Sequence, residues 1–219
     1  TEYGVNVDIM PREGKSGVVY APFDEAKETL ESQNYDVISL PVNSGLRIIH
    51  GKQHNVATNG NYVREGVIYI PKKGNKLVRN SPVLDSAKEA TQAHRENTEF
   101  YPSREYVERA LENSVDFPLL NIEIPTNRFN ENELTVWAFG EGDSNKAQAY
   151  GDWLRNGKPE IKSMPVYVID KAFVNKQDLP FARQLWFDWL DGGSRLYGDL
   201  SSLHYDDGVR GVLRADEVS

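Results

Sequence analysis

The sequence contains no cysteine among its 219 residues. It can therefore form no disulfide, supplies no thiolate nucleophile and cannot bind zinc through sulfur. Its longest apolar stretches, such as GVVYAPF at 17–23, are far shorter than the ~20 residues that cross a membrane. The first residues also lack the basic and then apolar segments that mark secreted proteins. We therefore expect a soluble protein without a membrane partner, located in the cytoplasm.

The sequence also lacks the motifs that identify many nucleotide-binding and hydrolytic enzymes. GxxxxGKS/T, GxGxxG, HExxH, GxSxG and the EF-hand loop are all absent. Acidic residues (33) outnumber basic ones (25), so the formal net charge is −8. Since nucleic-acid affinity depends mainly on Lys and Arg at phosphates, a nucleic-acid partner is not expected. A basic cluster at 72–79 is typical of a solvated loop between strands.

What the sequence does contain is enough apolar material for a folded core. Hydrophobic residues make up 39% and aromatic residues 11% of the chain, which is ordinary for a globular protein. No fixed-period repeat and no Pro-, Gly- or Ser-rich linker interrupts the sequence. We expect one compact domain over 1–219, with two possible subdomains at 1–83 and 84–219.

The first half of the sequence is predicted to be rich in strands. A helix is expected at 23–33, where Asp24 and Glu25 lie in the first turn and interact favourably with the helix dipole. Asn59-Gly60 is a dipeptide that type I′ turns prefer, so we expect a hairpin with arms at 55–58 and 61–64. Alternating apolar residues, broken by Pro or Gly, favour strands at 3–9, 16–22, 35–42, 45–50 and 66–71.

The second half is predicted to alternate helices with strands. The helix at 176–193 has the strongest signals, since Asp178 can cap it, Pro180 lies in its first turn and Gly192-Gly193 end it. The order predicts an α+β (mixed α/β) fold, with a β-rich N-terminal half followed by helices packed on a mixed sheet. Helices are expected at 81–100, 101–115, 143–157 and 176–193, and strands at 119–125, 133–140, 164–170 and 209–214.

Two of the four histidines, His50 and His54, lie four residues apart. On one face of a strand or helix they could share a metal ion with a third ligand from elsewhere, which would suit a metal-dependent hydrolase. Two histidines with the same spacing can also lie in a connecting loop that binds no ligand. Because His50 ends a predicted strand at Gly51, the sheet would position its side chain, and His50 is the stronger functional candidate of the two.

A wider set of residues suggests a second chemistry. The predicted strand ending in His50, the aromatic strand with Tyr69, and a carboxylate at Glu131 or Glu133 together resemble the His–Tyr–Glu order of ADP-ribosyltransferases. The resemblance implies that His50 hydrogen-bonds a ribose of NAD, that Tyr69 stacks on nicotinamide, and that the carboxylate stabilises an oxocarbenium-like centre. Lys52 and the short spacing from His50 to Tyr69 depart from the family's pattern.

Two further segments carry candidate binding residues. His94, near Glu96 and Glu99, could form a base and its orienting carboxylate, or a solvated helix end with ordinary ion pairs. Leu185, Trp186, Trp189 and Leu190 would form an aromatic stripe on the predicted C-terminal helix. Packing in the core is the first explanation of such a stripe. Its apolar face would also be wide enough to contact a second copy of the chain or a protein partner.

The favoured hypothesis is a binding or interaction protein, because no catalytic motif is recognisable. The alternatives are a nucleotide-using enzyme of the ADP-ribosyltransferase type and a metal-dependent hydrolase. No cofactor is assigned, and no residue is assigned as a metal ligand. The candidate catalytic residues are His50, Tyr69 and Glu133, and the candidate binding residues are Arg47, His94, Trp186 and Trp189.

Overall fold

The computed structural model describes residues 6–10 and 14–213, and within them helices alternate with the strands of a mixed sheet, which is an α+β fold. Across these ranges, no helix combines the length and the apolar character that crossing a bilayer requires. A 3-10 helix spans Thr126–Glu131. The strands are β1 Asn6–Met10, β2 Gly14–Tyr20, β3 Tyr35–Val37, β4 Asn61–Ile70, β5 Gly74–Val78, β6 Ser114–Phe117, β7 Ile122–Pro125, β8 Ser163–Tyr167, β9 Phe181–Phe187, β10 Leu196–Tyr197 and β11 Gly208–Leu213. The helices are α1 Phe23–Ser32, α2 Leu40–His50, α3 Asn55–Thr58, α4 Pro82–Asp85, α5 Ala87–Arg95, α6 Arg104–Leu111, α7 Glu133–Gly140, α8 Ser144–Arg155 and α9 Lys171–Asn175.

Strand β4 is where the sheet divides. It pairs antiparallel with β9, from Tyr62 opposite Trp186 to Tyr69 opposite Phe181, with an irregularity between Tyr62 and Gly66. Its beginning also pairs in parallel with β11, and its second half pairs antiparallel with β5. One branch therefore continues through β11, β2 and β1, another through β9, β10, β8 and β7, and a third through β5 and β6.

Apolar clusters lie on both sides of the sheet. The larger one includes Leu185 and Phe187 of β9 together with residues of α2, α7 and α8. The smaller one includes Trp186 of β9 together with residues of α1 and α5. Since successive side chains of a strand point to opposite faces, β9 contributes to both clusters and every one of its residues is buried.

Several local predictions are confirmed. Helices lie within the predicted ranges 23–33, 81–100, 101–115 and 143–157, and β8 and β11 overlap the strands predicted at 164–170 and 209–214, of which residue 214 lies outside the described residues. Ser103 caps α6 by accepting a bond from the Tyr106 N–H, and Asp143 caps α8 in the same way. These elements carry their own start signals, so short-range sequence reasoning finds them.

The strongest helix prediction, 176–193, is wrong. Residues Phe181–Phe187 form β9, a central strand that is buried on both faces. Such a strand needs apolar or well-bonded side chains at every position, so its sequence does not alternate and can be mistaken for a helix. The proposed dimer or partner contact through an aromatic C-terminal helix therefore loses its basis, since that helix does not exist.

Two strand predictions are also wrong. Residues 45–50 belong to α2, which has a Pro in its first turn, and residues 133–140 form α7, where Asn132 caps the helix by accepting from the Thr135 N–H. His50 therefore ends a helix rather than a strand. Both segments are short and apolar, and periodicity alone cannot separate a helix from a strand in such segments.

The hairpin at Asn59-Gly60 is wrong as well. Residues Asn55–Thr58 form α3, and the hairpin turn lies between β4 and β5, where Lys72 and Gly74 adopt φ of 63° and 121°. Gly60 instead serves close packing, because a Cβ there would lie 2.6 Å from Cζ2 of Trp186. Glycine at this position allows the indole ring to lie directly against the backbone.

Candidate ligand-binding surface

A buried guanidinium joins the two sequence halves on the α2 side of β9. Arg47 of α2 is fully buried, and its guanidinium carbon lies 3.7 Å from the centre of the Phe187 ring. Burial lowers the pKa of Arg47, but arginine keeps its charge in such settings. The donors of Arg47 are satisfied by the Asn43 Oδ1 (3.1 Å), the Val56 carbonyl (3.0 Å), the Tyr150 hydroxyl (3.2 Å), the Ser194 Oγ (3.0 Å) and the Asp188 carbonyl (2.9 Å).

The loop from Trp189 to Arg195, which joins β9 to β10, is fixed on this base. Ser194 Oγ accepts from Arg47 and lies 2.7 Å from the Tyr150 hydroxyl. The loop also closes on itself, because the Ser194 N–H donates to the Trp189 carbonyl at 3.1 Å. Gly192 lies over the Asp188 carboxylate, where a Cβ would be 2.2 Å from Oδ2. The loop is therefore held in one conformation by buried contacts.

Four side chains on and beside this loop form what we call the aromatic surface: Tyr167, Trp189, Arg195 and Tyr197. Tyr167 of β8 stacks on Tyr197 of β10, with ring centres 4.8 Å apart and planes 16° apart. Arg195 Nη1 donates to the Tyr197 hydroxyl at 3.1 Å and lies 3.9 Å from Asp188 Oδ2. Trp189 is 43% exposed. Tyr167, Arg195 and Tyr197 are half-buried, so the surface presents parts of two stacked rings with a guanidinium bonded to one of them, together with the exposed indole of Trp189.

The electrostatics of this surface favour binding over proton transfer. The hydrogen bond to Tyr197 raises the pKa of Arg195, so the guanidinium stays positive. Burial raises the pKa of Asp188, whose Oδ1 accepts from Trp186 Nε1 at 3.4 Å, but the residue is only 3% exposed. Tryptophan, tyrosine and arginine supply large contact area with few rotatable bonds, which is the chemistry of binding hot spots.

The aromatic and carboxylate candidates for catalysis lie in different settings. Tyr69 is fully buried, stacks on Phe181 at 5.1 Å between ring centres and donates to the Gly198 carbonyl at 3.0 Å, so no face of it is open to nicotinamide. Glu133 is exposed in the first turn of α7 and lines a groove that includes neither His50 nor Tyr69. Glu131 is exposed and lies 3.8 Å from Arg128.

The two histidines of the first half do lie together, with ring centres 4.8 Å apart. His54 caps α3, because its Nδ1 accepts from the Val56 N–H at 3.2 Å. Among the residues that the structure describes, however, no three His, Asp or Glu side chains are arranged to hold a metal ion. Within the described residues, the metal-dependent hydrolase hypothesis therefore has no third ligand to join His50 and His54.

The other candidate binding residues divide into buried and exposed ones. Arg47, His94 and Trp186 are buried, so they act within the fold. Glu99, one of the two carboxylates considered as a partner of His94, pairs with Arg183 at 2.5 Å. Trp189 is the member of this set that faces solvent. Sequence reasoning missed Tyr167, Arg195 and Tyr197, although the Asp191-Gly192-Gly193-Ser194 run is a loop signal at the end of the predicted helix.

Comparisons with known proteins bear on the fold. No family model matches the chain, and no curated protein matches it. A solved structure described as "Accommodation of massive sequence variation in Nanoarchaeota by the C-type lectin fold" superposes with a TM-score of 0.65 and 18% sequence identity, covering 94% of this chain and 99% of that chain. This likeness, over nearly all of both chains, shows that the chain has the C-type lectin fold.

Proposed function

We propose that this protein is a binding protein that recognises a protein partner with its aromatic surface. One observation carries the proposal: an exposed tryptophan stands on a loop that the buried Arg47 network holds, and strands β8 and β10 beside this loop carry a stacked tyrosine pair. Residues held rigidly before binding lose little conformational entropy when a partner is bound. Trp189, Tyr197 and Arg195 belong to the residue types that dominate measured interface energies.

The fold supports the same proposal. The Nanoarchaeota structure is described as a C-type lectin fold that accommodates massive sequence variation. A fold with that property can keep its core while the residues of a recognition surface differ. In this chain Arg47 bonds buried groups of the loop and its neighbour Asp188, whereas Trp189 is exposed, so the two tasks fall on different residues.

The proposal is tested by measuring affinities after a partner has been found on an array of purified proteins from the source organism. Calorimetry would compare the wild type with Trp189→Ala and Tyr197→Ala. Tyr101→Ala is the matched control, because Tyr101 is also 43% exposed but packs on Phe181, at the other end of β9. Hot-spot truncations cost about 2 kcal/mol or more, so we expect affinity to fall roughly 30-fold or more for both aromatic-surface variants.

The control decides how the result is interpreted. Unchanged affinity in Tyr101→Ala with strong loss in Trp189→Ala and Tyr197→Ala supports the aromatic surface. Equal losses in all three variants, or no loss in Trp189→Ala and Tyr197→Ala, would remove the aromatic surface as the binding site. Unfolding curves of each variant, measured in parallel, separate lost contacts from lost structure.

A further inference from the structure

Two adjoining cavities form one groove beside the turn between β4 and β5. The larger, of about 690 Å³, lies between residues 116–122 and the start of α7. The smaller, of about 330 Å³, lies between the turn and α9. Both are lined by Lys73, Gly74, Asn75 and Leu119, so they adjoin each other along these residues. We call the combined groove the lysine–leucine furrow.

One wall of the furrow is apolar and faces solvent. Leu119, Leu120 and Ile122 are 40%, 68% and 37% exposed, and all three line the larger cavity. Single exposed aliphatic residues are common on protein surfaces, but contiguous ones at a concave site mark places where another molecule is bound.

This apolar wall is held in place from both sides. Asn75 Nδ2 donates to the Pro118 carbonyl at 2.7 Å, and the Val168 N–H donates to Asn121 Oδ1 at 2.9 Å. The segment from 118 to 122 is therefore tied to β5 and to the end of β8. A ligand that binds there meets aliphatic side chains on an ordered backbone.

The other part of the furrow is positively charged. Lys72, Lys73 and Lys171 line the smaller cavity. Among the described residues, none of these three lysines forms an ion pair, although the chain as a whole has a net charge of −8. Unpaired lysines beside an apolar wall complement a ligand in which carboxylates adjoin aliphatic groups.

The furrow also lies beside two strand edges. β6 pairs with β5 and β7 pairs with β8, and within the described ranges the second edge of each strand pairs with no other strand. Unpaired backbone groups at such edges can hydrogen-bond an extended peptide. A concave groove that adjoins strand edges suits an extended peptide better than it suits the flat surface of a folded partner.

We propose that the lysine–leucine furrow binds an extended peptide segment of a partner protein, in which acidic side chains adjoin aliphatic ones. The carboxylates face Lys72, Lys73 and Lys171, and the aliphatic side chains pack on Leu120 and Ile122. This site shares no residue with the aromatic surface, and it stands or falls independently of the function proposed above.

The test uses the full chain and fluorescein-labelled peptides with an acidic half and an aliphatic half. Fluorescence anisotropy would measure binding of the peptide Asp-Asp-Glu-Leu-Val-Leu and of its charge-reversed partner Lys-Lys-Lys-Leu-Val-Leu. We expect saturable binding of the acidic peptide, at least tenfold weaker binding of the charge-reversed one, and at least tenfold weaker binding of the acidic peptide to Leu120→Glu and to Lys73→Glu.

Matched variants outside the furrow serve as controls. Leu179 is 60% exposed and lines neither cavity, and Lys146 is an exposed lysine of α8, so Leu179→Glu and Lys146→Glu should leave the affinity unchanged. No saturable binding of the acidic peptide, or equal losses in the control variants, overturns the proposal. Binding of phosphatidylserine-containing vesicles without peptide binding, or a dimer in native mass spectra that Leu120→Glu dissociates, also overturns it in favour of a membrane or a second copy.

Discussion

Arg47 and Ser194, 147 positions apart in the sequence, are joined by a buried 3.0 Å hydrogen bond from the Arg47 guanidinium to the Ser194 hydroxyl. This contact connects the end of α2 with the loop that carries Trp189 and Arg195. It explains how an exposed loop with two adjacent glycines can hold a fixed shape.

We expect Arg47→Met to lower the free energy of unfolding by about 3 kcal/mol or more. The substitution leaves buried acceptors on Tyr150, Ser194 and Asp188 without their donor, and each such group costs roughly 1–3 kcal/mol. Urea denaturation followed by circular dichroism would measure the loss. Arg155→Met, at an exposed position of α8, should change stability by less than about 0.5 kcal/mol. A similar small effect in Arg47→Met would show that the network is not needed for the fold.

The stability of the protein should depend on pH through His94. Burial, and then the positive charges of Arg183 and His204, lower the pKa of His94 to about 3. An unfolded histidine titrates near ~6.5, so the unfolded state binds a proton that the folded state does not bind between about pH 6.5 and 3. The His94 contribution therefore reduces the free energy of unfolding as the pH falls through this range.

The His94→Leu variant isolates this contribution. One group can change the slope by at most about 1.4 kcal/mol per pH unit. Glu65 acts in the opposite direction, because burial raises its pKa to about 7 and the folded state then holds the extra proton. The measurement is therefore the difference between His94→Leu and wild type from pH 7 to 4, with His50→Gln as control. Parallel curves for wild type and His94→Leu would contradict the prediction.

Two glycine substitutions should have opposite effects on stability. A Cβ at Gly60 would lie 2.6 Å from Trp186, so Gly60→Ala should destabilise the fold by roughly 1–3 kcal/mol and change the tryptophan emission. Gly45 lies within α2 and a Cβ there would meet no atom within 4 Å, so Gly45→Ala should stabilise the fold by roughly 0.4–1 kcal/mol. Thermal unfolding of both variants checks the pair. A neutral Gly60→Ala would mean that the indole can move away.

Tyr69→Phe should affect stability and leave ligand binding unchanged. The Tyr69 hydroxyl donates to the Gly198 carbonyl and accepts from the Ile169 N–H at 3.3 Å, and losing these buried bonds should cost about 1–2 kcal/mol. The solvent-exposed Tyr101 provides the comparison, and Tyr101→Phe should cost much less. A loss of partner affinity in Tyr69→Phe without a loss of stability would contradict this prediction and make Tyr69 a functional residue.

Helix starts and composition could be predicted from the sequence, because they depend only on residues that are adjacent along the chain. Ser103 and Asp143 begin their helices by accepting backbone hydrogen bonds within three positions, and the predicted helices there are observed. The surplus of acidic residues and the absence of cysteine also follow from composition alone. These properties need no knowledge of what each residue packs against.

Which apolar segments form central strands, and which residues form the aromatic surface, depends on long-range packing in the folded protein. Phe181–Phe187 is a strand because β4 and β10 pair with it and because apolar clusters cover both of its faces, and β4, its longer partner, is far from it in sequence. The local sequence around Arg47 does not predict its burial, which depends on contacts with Tyr150, Asp188 and Ser194. Long-range burial, which local periodicity does not encode, placed Trp189 on a fixed loop and Tyr69 in the core.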